Sequence, residues 1–276
     1  MIELTDEILA KVIKKRKKAS YKGTYGRLLV IGGNRQYGGA AILATTSAVY
    51  SGAGLVSVAL AKENHSALQA RLPEAMTLDF DDLIKLREVT KAADVIVIGP
   101  GLGLERLDLL TEVLNLLTEN QKLVIDGSAL TLFAREEHLD LPFPENTVFT
   151  PHEMELERLS GLKIGQQTKE EVQDFVNQLG AIVVAKSSET RIFAPNQESF
   201  ILKIGSPAQA TGGMGDTLAG MVVGFLAQFH GETEEVVAAA TYLHSLIASV
   251  LARKSYVVLP SRLIEEIPLF MKKYEC

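Results

Sequence analysis

The sequence predicts an α/β fold: a central, mostly parallel sheet covered by helices on both faces, carried by one domain over residues 1–276. Three observations predict it. Short Leu, Val and Ile runs at 27–31, 55–60 and 95–98 read as strands buried on both faces. Helix-like segments alternate with them, the signature of parallel strands joined by crossovers. Glycine-rich loops follow several runs, at the edge where such sheets take ligands.

The elements follow in order. Residues 5–18 read as a helix and 21–26 as a turn before the strand 27–31. A glycine loop leads into a small-residue helix at 40–51, then the strand 55–60. Further strands are expected at 95–98, 123–125, 147–149 and 181–185, with helices at 107–119 and 169–179 between some of them. Pro195-Asn196-Gln197 separates two apolar stretches, 191–194 and 199–203, as a hairpin would. The last third turns helical, at 216–229, 233–250 and 260–273.

Composition narrows the function. Apolar residues make up 47% of the chain, enough for a sizeable core, and the net charge of −6 carries no nucleic-acid footprint. The lone cysteine, Cys276, supports neither a disulfide framework nor a convincing nucleophile. No uninterrupted apolar run reaches membrane length and no signal peptide precedes Met1, so a cytoplasmic protein without a membrane partner is expected. Lys11 and the run Lys14, Lys15, Arg16, Lys17, Lys18 read either as a solvated basic helix end or as a contact for an anion or a neighbouring subunit.

The candidate chemistry sits after the strands. Thr211-Gly212-Gly213-Met214-Gly215-Asp216 opens an apolar helix, so unpaired N–H groups and a carboxylate face one mouth, as a phosphate site requires. Gly220 and Gly224 share a helical face with Asp216, which points to close helix packing. Gly32-Gly33-Asn34 through Gly38-Gly39 matches neither a dinucleotide fingerprint nor a P-loop, yet Asn34 and the helix start after it face the ligand edge. Gly99-Pro100-Gly101-Leu102-Gly103 offers either a backbone surface for a flat ligand or a tight connection. Asp126 either orients a ligand hydroxyl, acts through hydrated Mg²⁺, or caps a helix beginning near Ser128. His152, after Thr150-Pro151, is the histidine at the ligand edge; His65, His138, His230 and His244 read as surface or packing positions. Lys186-Ser187-Ser188-Glu189-Thr190 suits a phosphate or ribose. No histidine pair has metal-ligand spacing.

The Gly212-Gly213-Met214-Gly215-Asp216 loop resembles the anion hole of the ribokinase-like superfamily. With Lys22-Gly23-Thr24-Tyr25-Gly26, Gly99 to Gly103, Asp126 with Ala129-Leu130, and Thr150-Pro151-His152, the chain resembles the ADP/ATP-dependent NAD(P)H-hydrate dehydratases. The resemblance covers nearly the whole chain. It implies a ribokinase-like three-layer sandwich without a separate lid domain. It implies a bacterial ADP-dependent enzyme that restores NAD(P)H from the S-epimer of its hydrate, giving AMP and phosphate, with Mg²⁺ on the nucleotide and a homo-oligomer, most simply a tetramer. Phosphorylating the C6 hydroxyl turns a poor leaving group into a good one. Carried over, Asp216 is the base at that hydroxyl, and Gly213, Met214 and Gly215 hold the moving phosphoryl group. Ala41, Gly103 and His152 contact the hydrated nicotinamide nucleotide, with Asn34 and Asp126 beside them. Lys186, Ser187, Ser188, Glu189, Thr190 and Gly215 contact the adenine nucleotide.

Three departures from the family pattern stand out. His152-Glu153-Met154-Glu155 replaces His-Pro-Gly-Glu, Ser187 replaces a glycine, and Asp126-Gly127-Ser128 carries one carboxylate fewer. A small-alcohol kinase of the same superfamily and a non-catalytic nucleotide-binding module are the competing readings. Product identity separates the first; retention of Asp216 with its glycines weighs against the second.

Overall fold

The computed structural model describes residues 1–136 and 138–276. The chain begins with β1 (Ile2–Glu3), α1 (Glu7–Val12), β2 (Arg27–Ile31), α2 (Gly38–Tyr50) and β3 (Leu55–Leu60). Then come α3 (His65–Arg71), β4 (Met76–Asp79), α4 (Leu83–Ala92), β5 (Val95–Ile98), α5 (Leu107–Leu116) and β6 (Lys122–Ile125). The middle continues with α6 (Gly127–Arg135), β7 (Thr147–Phe149), α7 (Glu153–Ser160), α8 (Lys169–Leu179) and β8 (Ile182–Ala185). A short pair, β9 (Arg191–Phe193) and β10 (Phe200–Ile201), precedes α9 (Met214–Gln228), α10 (Thr233–Ala252) and α11 (Pro260–Tyr274).

All ten strands belong to one sheet, in the order β1-β10-β9-β8-β7-β6-β5-β2-β3-β4. The strands from β4 to β8 pair in parallel, and only β9 runs antiparallel to its neighbours. Among the described residues no separate lid sheet exists. The apolar runs have a simple cause. On β2, Leu28 and Val30 join the core shared with α2, α9, α10 and α11, while Leu29 and Ile31 join the core under α4 to α8. On β5, Val95 and Val97 split from Ile96 and Ile98 in the same way. Both faces are dry, so polar alternation disappears.

Several expectations change. The helix expected over 5–18 ends at Val12, and Ile13 is already extended. The cations that follow have no apolar partner to bury, and like charges at helical spacing repel. Their backbone is instead held by the chain end: Lys15 N–H donates to Cys276 O at 2.9 Å and Cys276 N–H to Ile13 O at 3.1 Å. α3, β4 and α4 were not expected from the sequence. β4 is an edge strand whose exposed positions blur its pattern. α10 is long and apolar enough to cross a membrane, with a mean hydropathy of 1.5, yet 67% of that window is buried inside the fold.

α9 lies directly against α2, as Gly220 and Gly224 foretold. A methyl group on Gly220 would overlap the Ala44 carbonyl oxygen, and one on Gly224 would press on Ser51 and Ala48. The Gly220→Ala substitution is therefore expected to cost about 1–3 kcal/mol of stability through overpacking. Urea unfolding reads this as a lower midpoint at unchanged slope; an unshifted midpoint would contradict the tight α2–α9 contact.

Candidate active site

The site lies at the carboxyl edge of the sheet, where the chain leaves β2 toward β3 on one side and β5 toward β6 on the other. Two glycine loops meet there. Gly33 N–H donates to Pro100 O at 2.8 Å, and Asn34 N–H to Gly101 O at 2.7 Å. The Asn34 side-chain oxygen accepts from Gln36 N–H at 3.0 Å and Tyr37 N–H at 2.8 Å, so it is spent on shaping its own loop. Asn64 Nδ2 braces that loop through the Asn34 carbonyl at 2.8 Å. Gly103 N–H donates to Ser128 Oγ at 3.2 Å, which ties the second loop to α6. Ala41 is fully buried, its methyl group facing Gly33. No atom of Ala41 reaches the surface in this structure, so it shapes the loop from beneath.

Three neighbouring strands deliver the polar cluster. Asp126 follows β6, Thr150 follows β7 and Lys186 follows β8, so the β6-β7-β8 order brings residues distant in sequence to one point. Asp126 is buried, and its Oδ1 accepts from Thr150 Oγ1 at 2.6 Å and from Lys186 Nζ at 3.1 Å. It makes no cap bond to α6, which removes the capping reading. Glu155 completes the ring around the lysine. Burial raises its carboxyl above the usual range, while the Lys186 ammonium pulls the other way. Burial opposes the Lys186 charge, but Asp126 and Glu155 outweigh it and hold the ammonium above its ordinary value.

His152 also serves the fold. Its Nδ1 caps α7, accepting from Met154 N–H at 3.1 Å and Glu155 N–H at 3.3 Å. Glu155 Oε2 returns the contact by accepting from His152 N–H at 2.8 Å. This reciprocal box replaces the rigidity that a Pro-Gly pair would supply. One imidazole nitrogen is thereby committed to the fold, and only Nε2 can turn to a ligand. Glu155 and Thr150 are the members of the cluster for which the sequence suggested no role at the site. A capping box led by histidine lies outside the usual Ser, Thr, Asp and Asn signals.

Asp216 enters from the other helical layer. Gly213 takes the left-handed conformation, φ 95°, just before α9. Thr217 N–H closes the first turn on Gly213 O at 3.0 Å. Met214 N–H makes a long bond of 3.4 Å to Thr211 O, and no backbone carbonyl among the described residues takes the N–H of Gly215 or Asp216. The free donors expected of the loop thus centre on Gly215 and its neighbours rather than on Met214. A methyl group on Gly215 would lie 3.3 Å from Lys186 Nζ, so the lysine stands over the helix start. Burial, and next the Asp126 carboxylate, push Asp216 up to about 6 against the pull of Lys186. Behind the loop, His244 is buried as a packing residue, its Nε2 without a hydrogen-bond partner, and burial lowers it to about 4.

Lys186 to Thr190 form a compact hydroxyl turn. Glu189 N–H donates to Ser187 Oγ at 3.1 Å and Thr190 Oγ1 to Ser187 O at 3.2 Å, while Ser187, Ser188 and Glu189 stay exposed. The whole arrangement offers N–H donors and an ammonium for a phosphate, and a carboxylate of raised pKa for a hydroxyl proton. Among the described residues no group of three His, Cys, Asp or Glu side chains could hold a metal ion alone. Three carboxylates against one ammonium nevertheless leave an excess of negative charge. That suits Mg²⁺ arriving on nucleotide phosphates and held largely through water.

Comparison with known proteins identifies relatives of the whole chain. The family model for NAD(P)H-hydrate dehydratase matches residues 28–269. A Lactococcus lactis protein named ADP-dependent (S)-NAD(P)H-hydrate dehydratase is 98% identical over 276 residues, covering 100% of both chains. A ribokinase-like superfamily protein from Enterococcus faecalis superposes with a TM-score of 0.97 at 49% identity, covering 100% of this chain and 96% of that one. The Bacillus subtilis ADP/ATP-dependent NAD(P)H-hydrate dehydratase, co-crystallised with ATP and Mg²⁺, gives a TM-score of 0.86 at 26% identity over 99% of each chain. With the sandwich, the helix-start donors and the matched sequence in agreement, the chain belongs to the NAD(P)H-hydrate dehydratase family.

Proposed function

We propose that this chain, as one domain over residues 1–276, dehydrates the S-epimer of NAD(P)H hydrate with ADP, releasing NAD(P)H, AMP and phosphate. The observation that carries this reading is Asp216, a carboxylate of raised pKa beside unpaired helix-start N–H groups and the Lys186 ammonium. Asp216 takes the C6 hydroxyl proton while the oxygen attacks the β-phosphorus of ADP and the bond to AMP breaks. The N–H groups at Gly213 and Gly215 stabilise charge on the moving phosphoryl group. The C6–O bond then breaks with the electron pair leaving on phosphate, pushed by the ring nitrogen. Loss of a C5 proton restores the double bond. Mg²⁺ supplies charge neutralisation on the nucleotide phosphates.

The remaining roles follow from placement. Asp126 and Glu155 fix Lys186 over the phosphates rather than touching the reacting atoms. Gly103 and His152 Nε2 line the nicotinamide side, with Ala41 beneath the loop and Asn34 shaping it beside them. Ser187 to Thr190 flank the adenine nucleotide. The enzyme acts in the cytoplasm as a homo-oligomer, a tetramer, without nucleic-acid or membrane partners. Exposed Tyr256, Val257 and Leu259 offer apolar surface for a second copy. Light scattering tests the assembly, and a monomer's mass would remove it.

The test of function is recovery of the near-ultraviolet absorbance of reduced nicotinamide from its hydrate, with Mg²⁺ and ADP, accompanied by phosphate release. A stable phosphate ester without recovered absorbance would instead show a kinase. Because Asp216 must be ionised to accept the proton, kcat should rise with pH through about 6 and level off above neutrality. Lys186→Met removes the one charge that lowers the Asp216 pKa, so the same limb should move up by about one unit. A limb that stays in place in Lys186→Met would disconnect the lysine from the base.

A further inference from the structure

A cavity of about 660 Å³ opens at the amino-terminal edge of the sheet, lined by Gln228 and Phe229 at the far end of α9 from Asp216. The length of that helix sets the two places roughly 20 Å apart. Lys22 to Gly26, part of the family resemblance, does not reach the active site; Thr24 and Tyr25 line this second cavity.

One wall is the cationic run, Lys14 to Lys17. Lys15 and Lys17 have no acidic partner within ion-pair distance among the described residues, and Lys14 Nζ reaches only the Ala10 carbonyl, at 3.2 Å. Arg16 is already committed to Gly52 O and Gln228, with its guanidinium 3.8 Å above the Tyr25 ring. Among the described residues, Glu74 and Glu275 are the only side-chain carboxylates on the lining, and Glu275 is taken by Lys272. A block of like charges normally spreads into solvent. Here its backbone is pinned by the Ile13, Lys15 and Cys276 hydrogen bonds, so the three ammonium groups of Lys14, Lys15 and Lys17 gather around the single terminal carboxylate of Cys276 and stay in excess of it, on a protein whose net charge is −6. Opposite them the floor is apolar and aromatic, from Val49, Tyr50, Phe229 and Met271. The volume falls within the range that takes a small organic ligand.

We propose that this cavity is a second binding site, separate from the Asp216 centre, for a nucleoside polyphosphate. Its phosphates lie on Lys14, Lys15 and Lys17, and its base lies over Tyr50 and Phe229. Phosphate oxygens supply the charge the lysines lack, and a planar base covers the apolar floor.

Equilibrium dialysis of the full chain against labelled ATP, with Mg²⁺ and no hydrate, tests the site. The parent chain is expected to bind two ATP per chain. The K15E/K17E variant, altered at exposed side chains, should lose one of them, weakened by about tenfold or more, which is 1.4 kcal/mol or more. It should keep its hydrate turnover, and K15R/K17R should keep both sites. Lys186→Met should weaken the other site, which separates this proposal from the active-site reading. An unchanged ATP count in K15E/K17E would overturn the proposal. Inorganic tripolyphosphate that displaces the cavity-bound ATP as well as ATP itself would overturn the assignment of a nucleoside ligand, leaving recognition of the phosphate chain alone.

Discussion

The Asp216→Asn variant is expected to lose about 10²–10⁴-fold in kcat, the usual contribution of a positioned base, while becoming more stable at pH 8. Both effects have one origin. Burial and the Asp126 carboxylate raise Asp216 to about 6 in the folded chain, above its ordinary value of 3.8. The unfolded chain ionises first as pH rises, so the folded state loses stability through the window from about 4 to 6 and stays lower above it. Asparagine keeps the shape and removes the charge, a relief of at most roughly 3 kcal/mol. Thermal unfolding should show a higher melting temperature for the variant at pH 8, with the gap shrinking below pH 6. Nucleotide affinity should survive, because Lys186 and the helix-start donors remain. A variant that turns over at the parent rate sinks the catalytic assignment; a variant that is inactive but less stable at pH 8 sinks the electrostatic account.

How far this site was legible depends on the residue. Strands β2, β3, β5 and β7 have the bounds read from the sequence, because strands buried on two faces need unbroken apolar runs. The place of Asp216 in the first turn of α9 was legible too, since glycines before an apolar run mark a helix start. The pairing of Asp126 with Lys186 was not. These residues are 60 positions apart, and only the β6-β7-β8 order makes them neighbours. Glu155 stayed hidden because its place comes from a box with His152, a pairing without a usual sequence signal. The opposite error occurred at the N-terminus. Lysine and arginine have good helix propensity, but self-repulsion and the contacts of Cys276 draw the chain out after Val12. Local preference decided the elements; strand order decided the chemistry.

Gly99→Ala is expected to be the most damaging small substitution in the chain, costing about 4 kcal/mol or more because strain and overlap fall on one atom. Gly99 follows β5 with φ at 126°, where an L side chain is strained regardless of space. A methyl group there would also overlap the Asp126 carbonyl oxygen and lie 3.0 Å from the Ala129 methyl. Neither neighbour is free to yield. Asp126 N–H is bonded to Ile98 O at 3.1 Å, Gly99 N–H to Ile31 O at 3.0 Å, and Ser128 N–H to Gly99 O at 3.3 Å. Relief therefore means prising β6 from β5 at the edge where Asp126 holds Lys186. Stability and catalysis should fall together, with kcat reduced even in the fraction that stays folded at low temperature. Gly165→Ala is the control: a methyl group there meets nothing within 4 Å, and its backbone is unstrained. It should melt within about 2 °C of the parent chain, as a near-neutral surface change does. Asp126→Asn separates the two losses, since it weakens the hold on Lys186 without crowding the backbone. It should lower kcat with far less loss of stability than Gly99→Ala. If Gly99→Ala instead melts with the control, the close approach of the β5 and β6 ends is not what positions the lysine.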